Sequence, residues 1–394
     1  MTEKKSAWKQ WKENLGDTRP WDFINPNTEF VSDTSAEERL SICKSCPRFI
    51  SATTQCLECG CFMAAKTKLA NAECPLHKWN KRNDYADKTI FINIPSYKDP
   101  ELFETIDDFL AKAKYPERVF FGITNQYIDL AEDLKKYEKY GSNIGIDFAV
   151  PGSVVGCQPG RLNSHQFYKD QDFYMNMDSH MRAVPDWDVL LINELITIEK
   201  QHGPSVITGY VIPYEKNEDG SDVVPSGIGY PLIFNMTESN VEHFYKFGVP
   251  QFTPRYKSVK TITPSPYVSG HFFFTTRQAI LDAPFVKEIT FTEEEIFMAL
   301  RFYTAGYNLF NPSNNYVYHR YGRGGRALFW DDFPEAFFPS SDSSMKHMVK
   351  VVTENVVNKD YGLLDKRTLQ EFEEYSGINF RDRTLTDSVI NGLD

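Results

Sequence analysis

Phe173-Tyr174-Met175-Asn176-Met177-Asp178-Ser179-His180 decides how the chain is read. Residues 173–177 alternate as a sheet strand does, and the run then delivers a carboxylate and an imidazole separated by one serine. A strand end thereby becomes a candidate cation site. Oxygen and imidazole nitrogen suit Mn²⁺, or Mg²⁺, and such an ion neutralises a diphosphate leaving group. An isolated Asp-x-His is equally a strand cap or the start of a turn, so the flanking sequence has to decide.

Upstream, Thr89–Ile94 reads as a buried strand, followed by a turn over 95–100. A helix with Leu102, Ile106, Phe109, Leu110 and Ala113 on one face comes next, then a second strand over Val119–Ile123. A β-α-β unit implies a parallel sheet, and such sheets bind ligands beyond the carboxyl ends of their strands, where Ser96, Tyr97 and Asp99 would sit. Asp99-Pro100 is also a fitting helix start with Asp99 as its cap. Downstream, Leu191, Leu195 and Ile198 mark a helix to His202, stopped by Gly203-Pro204. Val206–Ile212 then reads as one buried strand. Residues 213–265 are a loop-rich insertion suited to acceptor recognition, with 215–222 an exposed hairpin or loop. Residues 141–165, rich in Gly and Pro, suggest no element.

Ser269–Phe274 is a further strand, in which Gly270 permits close backbone approach. Glu294 and Glu295 open a helix, where acids favour the positive end of the dipole, and Gly306 ends it. Tyr316–His319 is a late strand, and Arg320, Arg323 and Arg326 follow in a Gly-rich loop suited to gripping and releasing a diphosphate.

These segments together resemble one family. Asp178–Asp188 is similar to the DSHxRFxxGWD segment of the GlcNAc-transferases that include the cytoplasmic hydroxyproline-modifying polypeptide N-acetylglucosaminyltransferases. The run around Ser96-Tyr97-x-Asp99-Pro100-Glu101 resembles that family's opening, IxxxSYxDPExxxTI. Residues 291–301 resemble FxGEEIxMALR with Glu293 in place of its glycine, and 306–319 resemble GYDLFSPxxxxxxH. A GPxxAR pattern is matched in part over Gln158–His165 and contributes Arg161. The resemblance covers about residues 89–325. It implies a GT-A-like (Rossmann-like) α/β fold, a mixed sheet flanked by helices, and a nucleotide-sugar donor, UDP-linked. By the same resemblance Asp178, His180 and His319 hold Mn²⁺ or Mg²⁺. Ser96, Tyr97, Asp99, Arg161, Ser179 and Gly270 belong to the donor pocket, Tyr97 stacking a base and Asp99 binding a ribose or uracil edge. Glu294 or Glu295 orients the sugar or acts as a base. The anomeric configuration would be retained, and the acceptor would be a protein hydroxyl.

Six of the seven cysteines fall between Cys43 and Cys74, as Cys43-x-x-Cys46, Cys56-x-x-Cys59, Cys61 and Cys74, with His77 beyond. Paired knuckles of this kind hold Zn²⁺, and so short a segment needs such a staple. Six cysteines exceed four ligands, so the ligand set stays open among Cys43, Cys46, Cys56, Cys59, Cys61, Cys74 and His77. The segment resembles a zinc-ribbon module common in bacteriophage and bacterial proteins. Residues 43–82 carry seven Lys/Arg against two acids, a local +5 in a chain of 43 basic and 54 acidic residues with net charge −11. That face suits an anionic partner such as nucleic acid, or is only a solvated surface.

With 394 residues, 41% hydrophobic and 14% aromatic, the chain has the makings of a folded protein with a substantial core. The first nine residues have no apolar secretory core and no stretch is long and apolar enough to span a bilayer, so a cytoplasmic protein without membrane partners is expected. The organisation read from these signals is an extension over 1–34, a cysteine-rich module over 35–82, a transferase domain over 88–335 and a helical extension over 336–394. Three functions follow: a transferase acting on a protein hydroxyl, one acting on hydroxymethylated bases of DNA with a pentose as conceivable a donor sugar as a hexosamine, or a zinc-dependent nucleic-acid-binding protein without catalysis.

Overall fold

In the computed structural model the apolar run Ile90–Tyr97 forms strand β1, fully buried from Ile90 to Ile94. Residues 28, 30–82, 84, 87–127, 130–225, 232–258, 261–322, 327–387 and 389 are described. Helix α1 (Leu102–Lys112) turns Leu102, Ile106 and Phe109 inward, and β2 (Val119–Gln126) returns parallel to β1 with Val119 opposite Ile90. The expected β-α-β unit is therefore present, its strands buried along most of their length because both faces are covered. Helix α2 (Leu130–Glu138) leads to β3 (Ile144–Phe148), which extends the parallel set.

Helix α3 (Cys157–His165) occupies a Gly- and Pro-bearing stretch to which the sequence assigns no element. Pro159 lies in its first turn, where an N–H is not needed. Gly160 is there for proximity, since a Cβ would come within 2.9 Å of Pro95 Cβ. Helix α3 can thus lie directly on β1.

The strands and helices that build the rest of the sheets and the site are β4 (Phe173–Met177), β5 (Met181–Ala183), α4 (Trp187–His202), β6 (Ser205–Thr208), β7 (Ile212–Pro213), β8 (Thr263–Pro264), β9 (Phe272–Thr276), α5 (Glu294–Thr304), β10 (Asn308–Asn311), β11 (Val317–His319), α6 (Pro334–Thr353) and α7 (Leu369–Ser376), and the loop-rich stretch over 213–265 also holds a helix, Glu238–Phe247. The main sheet runs β8-β10-β6-β9-β4-β1-β2-β3. It is mixed because β9 runs antiparallel to β4 and β6. The strand expected over 206–212 divides at Gly209-Tyr210. Its first part stays in this sheet, and its second joins a small sheet of order β5-β11-β7.

The chain divides into two units, Met1–Lys88 and Thr89–Asp394. The boundary expected at 335/336 falls inside α6. Met348, Val351 and Val352 of that helix, with Leu369 and Phe372 of α7, share one core with Phe273, Ile296 and Leu300. The C-terminal segment completes the core of the larger unit, which is why no boundary lies there.

In the smaller unit a helix (Asp33–Lys44), two two-residue strands (Phe49–Ile50 and Gln55–Cys56) and a four-residue helix (Met63–Lys66) surround Cys43, Cys59, Met63, Leu69, Ala72, Cys74 and Trp79. Buried Arg39 ties the unit together by donating to the carbonyls of Thr67, Leu69 and Asn80. Among the described residues no helix is long and apolar enough to cross a membrane.

Candidate functional site

Strand β4 ends at Met177 and β5 begins at Met181, so Asp178-Ser179-His180 is the turn between the main sheet and the small one. Strand β11 pairs antiparallel with β5, His319 opposite Met181, and the Arg320 N–H donates to the His180 carbonyl at 3.1 Å. The third candidate ligand, His319, thereby arrives from 139 residues beyond His180. His319 Nε2 is 3.3 Å and His180 Nε2 4.0 Å from Asp178 Oδ2, and the three residues' ligand atoms lie within 4.8 Å of one another. A cation with bonds of about 2.1 Å separates its ligands by about 3 to 4.2 Å, so this set fits a divalent ion. Burial alone would raise the Asp178 carboxyl. The hydrogen bond with His319 and the Arg161 charge hold it well below the usual range.

The support of this turn differs from its expected donor-pocket roles. Asp99 does not cap α1, whose N-cap is Glu101. Its Oδ1 accepts the Glu101 N–H at 3.0 Å, while Oδ2 accepts the Ser179 hydroxyl at 2.6 Å and lies 2.7 Å from His180 Nδ1. Ser179 is itself buried. Arg161, expected to contact nucleotide or phosphate, is 1% exposed and spends its N–H groups on protein. It donates to Glu294 Oε1 at 2.5 Å, Asn176 Oδ1 at 3.0 Å, Asp178 Oδ1 at 3.3 Å and the Gly270 carbonyl at 2.6 Å. It is the cationic underside of the site. Trp187 and Asp188, the end of the quoted motif, are scaffold: the indole donates to the Phe109 carbonyl and the carboxylate accepts the N–H groups of Lys114 and Tyr115. Asp186 holds φ +59° where the motif has glycine, a left-handed turn that Asp tolerates better than most residues.

Gly270 and Glu295 are joined directly. The glycine N–H donates to Oε1 at 2.7 Å, and the Tyr267 hydroxyl donates to Oε2 at 2.7 Å. Burial raises both neighbouring carboxyls. Glu294 reaches about 7 even with Arg161 opposing the shift, and Glu295 rises against its two hydrogen bonds. Glu293, in the position of the family's glycine, is fully buried and accepts the Thr290 N–H at 3.0 Å. Its φ of −84° needs no glycine.

The 215–222 hairpin is present but anchored. Arg182, 1% exposed, donates to Asp222, Glu101 and Glu104 at 2.6, 2.7 and 2.8 Å. Lys216 lies 3.0 Å from Glu101, and Arg320 donates to the same carboxylate at 2.8 Å. Glu101, Glu104 and Asp222 also come close enough to hold an ion, but Arg182 and Lys216 already neutralise them. Arg323 and Arg326 lie outside the described residues.

Ser96 and Tyr97 line a cleft of about 440 Å³ at the carboxyl ends of β1 and β2, with Gln126, Phe291, Phe329 and Trp330. Tyr97 packs edge-on to Phe329 at 5.2 Å and donates its hydroxyl to Asp332. The aromatic wall from 329–337 had no local signal, because its residues reach the cleft only through the tertiary fold. The same holds for Tyr210 and Tyr321, stacked 5.2 Å apart beside His319.

In the smaller unit Cys43, Cys46, Cys56, Cys59 and Cys74 line one cavity, and Cys61 does not. Trp79 Nε1 donates to Cys43 Sγ at 3.3 Å and Lys78 Nζ to Cys46 Sγ at 3.2 Å, contacts suited to thiolates. Among the described residues no three of these sulfurs come mutually within 4.8 Å, wider than the roughly 3.8 Å of a tetrahedral zinc–thiolate centre. The donor chemistry fits zinc and the spacing is open.

The family model described as Glycosyltransferase (GlcNAc) matches residues 89–144 and 134–382. No curated protein matches the chain. Solved structures resemble it remotely. GalNAc-T7 with UDP, GalNAc and Mn²⁺ shares 12% identity at a TM-score of 0.43, over 81% of this chain and 58% of that one. TarS 1–349 of S. aureus with UDP-GlcNAc shares 13% at 0.39, over 73% and 70%. The mannosyltransferase PcManGT of Pyrobaculum calidifontis with GDP-Man and Mn²⁺ shares 9% at 0.38, over 60% and 58%.

Proposed function

Because the chain belongs to the Glycosyltransferase (GlcNAc) family, we propose that it moves a sugar from a UDP-linked donor to a protein hydroxyl with retention of configuration. Asp178, His180 and His319 would hold Mn²⁺ or Mg²⁺. The observation that carries this reading is the convergence of those three ligand atoms at the carboxyl end of β4, where the main sheet meets the small one. A bound divalent ion supplies charge to the departing diphosphate.

The chain's own residues do the remaining work. Asp178 stays ionised beside Arg161 and so is ready to bind a cation without first losing a proton. The cleft at Ser96 and Tyr97 takes the nucleotide between aromatic walls, and Arg320 with the loop after it grips the diphosphate. Glu295 fixes the Gly270 backbone where the sugar would lie, and Glu294 presents a carboxyl held by Arg161. Aligning an acceptor hydroxyl with the anomeric carbon supplies the rest of the rate. In the smaller unit, Zn²⁺ on four of the cavity-lining cysteines would staple a core too small to stand alone.

A second reading takes hydroxymethylated DNA as acceptor, with a pentose or hexosamine donor. The local +5 of residues 43–82 in a chain of net −11 favours it. The test is nucleotide-sugar hydrolysis with Mn²⁺ by wild type and Asp178→Ala, with hydroxyl-bearing peptide or hydroxymethylated DNA added. Donor-selective release that needs Asp178 and speeds up with peptide supports the first reading; acceleration by DNA selects the second. No turnover with any donor, alongside tight salt-sensitive DNA binding, would leave a non-enzymatic zinc-dependent binding protein.

A further inference from the structure

The turn that carries two of the three candidate metal ligands is clamped by a residue that is not one of them. Asp99 is 2% exposed at its side chain and sits at the carboxyl end of β1, 79 residues before Asp178. Its Oδ2 is 2.7 Å from His180 Nδ1 and 2.6 Å from the Ser179 hydroxyl, and its Oδ1 takes the Glu101 N–H. The residue before it, Lys98, holds φ +47°, so the backbone is turned to aim the carboxylate back at the motif. From the other side, Thr105 Oγ1 donates to the Ser179 carbonyl at 2.8 Å and accepts the Met181 N–H at 3.1 Å. The turn is therefore fixed at its serine, at its histidine and at the residue that follows.

An ionised carboxylate only accepts hydrogen bonds. The proton of a neutral His180 must therefore sit on Nδ1, which leaves the Nε2 lone pair directed away from Asp99, 4.0 Å from Asp178 Oδ2. From this we infer that Asp99 is a positioning residue for the metal centre. It selects the Nδ1–H tautomer of His180, holds the ring in place and delivers Nε2 to the cation, while Ser179 pins the carboxylate that does so. The inference rests on the proposed metal-dependent reading. It also reassigns Asp99, because a ribose or uracil edge would compete for oxygens already engaged with His180, Ser179 and Glu101.

Two measurements on the full chain test it. The first is the Mn²⁺ dissociation constant, read from free-ion electron paramagnetic resonance, for wild type, Asp99→Ala, Asp99→Asn and Asp178→Ala. Loss of a carboxylate that orients a metal-binding histidine weakens the metal by about 10 to 100-fold. Asp99→Ala should fall in that range and Asp99→Asn, which keeps an acceptor, should fall between it and wild type. The second is the tautomer of His180 in metal-free protein, from long-range ¹H–¹⁵N correlation on ¹⁵N-histidine-labelled chain. Wild type should show a protonated Nδ1, and Asp99→Ala a shift toward the Nε2–H form. Wild-type Mn²⁺ affinity in Asp99→Ala, with Asp178→Ala weakened, overturns the inference. So does a loss of metal-independent UDP affinity in Asp99→Ala with Mn²⁺ affinity unchanged, which would make Asp99 a donor contact. If Asp178→Ala also leaves Mn²⁺ binding intact, the metal-dependent reading itself fails, and the His180 tautomer still decides whether Asp99 sets the ring. Should Asp99→Ala not fold, Asp99→Asn carries both readouts, an unchanged affinity and tautomer then counting against the role.

Discussion

Arg161 Nε lies 2.5 Å from Glu294 Oε1 with both side chains out of water, and the same guanidinium reaches Asp178 at 3.3 Å. One buried cation thus serves two carboxylates of the site. Arg161→Met would strand Glu294 and leave Asp178 only its histidine neighbours, and breaking a buried pair from one side costs about 3–5 kcal/mol. The expected result in calorimetry is a markedly lower melting temperature, recovered in part by adding Glu294→Leu. Transfer activity should stay low in both variants, because Asp178 has lost the guanidinium that helps keep it ionised. A melting temperature equal to wild type in Arg161→Met would show that the pair contributes nothing.

Chelation should abolish donor hydrolysis, and Mn²⁺ should restore it. His319→Ala leaves two of the three ligands and is expected to lower kcat/KM by about 100-fold or more, partly offset by excess metal. Steady-state kinetics at several Mn²⁺ concentrations checks this, and a variant with unchanged metal dependence would remove His319 from the ligand set.

Glu293 gives a pH prediction with a definite sign. Burial raises its carboxyl above the ordinary value, against the N–H groups of Thr290, its own and Phe291. A raised carboxyl favours folding while protonated, so its contribution is complete below the ordinary carboxylate pKa and is lost as pH rises through the raised one. Glu293→Gln removes that loss. It should raise stability by about 1–3 kcal/mol at pH 8 and by little at pH 4. Denaturant titrations at the two pH values decide it, and a stabilisation greater at pH 4 would contradict the argument.

Glu101 accepts from Arg182 and Arg320 and pairs with Lys216. Glu101→Ala leaves Arg182 buried with Asp222 and Glu104 as its remaining carboxylates, at a cost of about 1.5–3 kcal/mol for the lost charged hydrogen bond. The hairpin at 215–223 should then open to protease, and mass spectrometry of a limited digest should find new cleavage between Asn217 and Ser221. Cleavage unchanged from wild type would mean that the hairpin is held by something else.

Within the cysteine module, Cys61 is the cysteine of the six that does not line the shared cavity. Cys61→Ser should therefore retain bound zinc in elemental analysis, whereas Cys43→Ser should lose it and destabilise that unit. Equal loss from both would place Cys61 among the ligands.

Much of the sheet was legible because its pattern is local. Ile90–Ile94 and Val119–Ile123 are apolar runs, and the helix between them repeats its apolar residues at the helical period. Asp178 and His180 could be read as a pair from two positions of sequence; His319 needed the family resemblance, since nothing near it says which strand it will meet. Helix α3 was hidden because Pro159 and Gly160 signal a loop, and only the close approach to Pro95 shows why they are tolerated. Arg161 and Asp99 were placed in the donor pocket for want of any signal that their partners lie elsewhere. Periodicity reports how deeply a residue is buried, and carries no record of which distant acceptor it meets. The same limit explains the 215–222 hairpin, whose polar sequence gives no hint of the buried Arg182 that holds it.

The opposition of His319 and Met181 across two short strands has a consequence for how this protein can vary. Side chains alternate along a strand, so sliding β11 by one residue would present Tyr318 where His319 now stands and turn the histidine to the other face. Insertions in the loops between Ala183 and Val317 leave that opposition untouched, whereas the strands and helices of the interval belong to the main sheet and its core. On the proposed reading those loops can diversify toward new acceptors, while a single added or lost residue within β11 itself would take His319 away from Asp178 and His180. Under the proposed function, substrate range would follow the lengths of those loops, while the metal centre would require a register only three residues long.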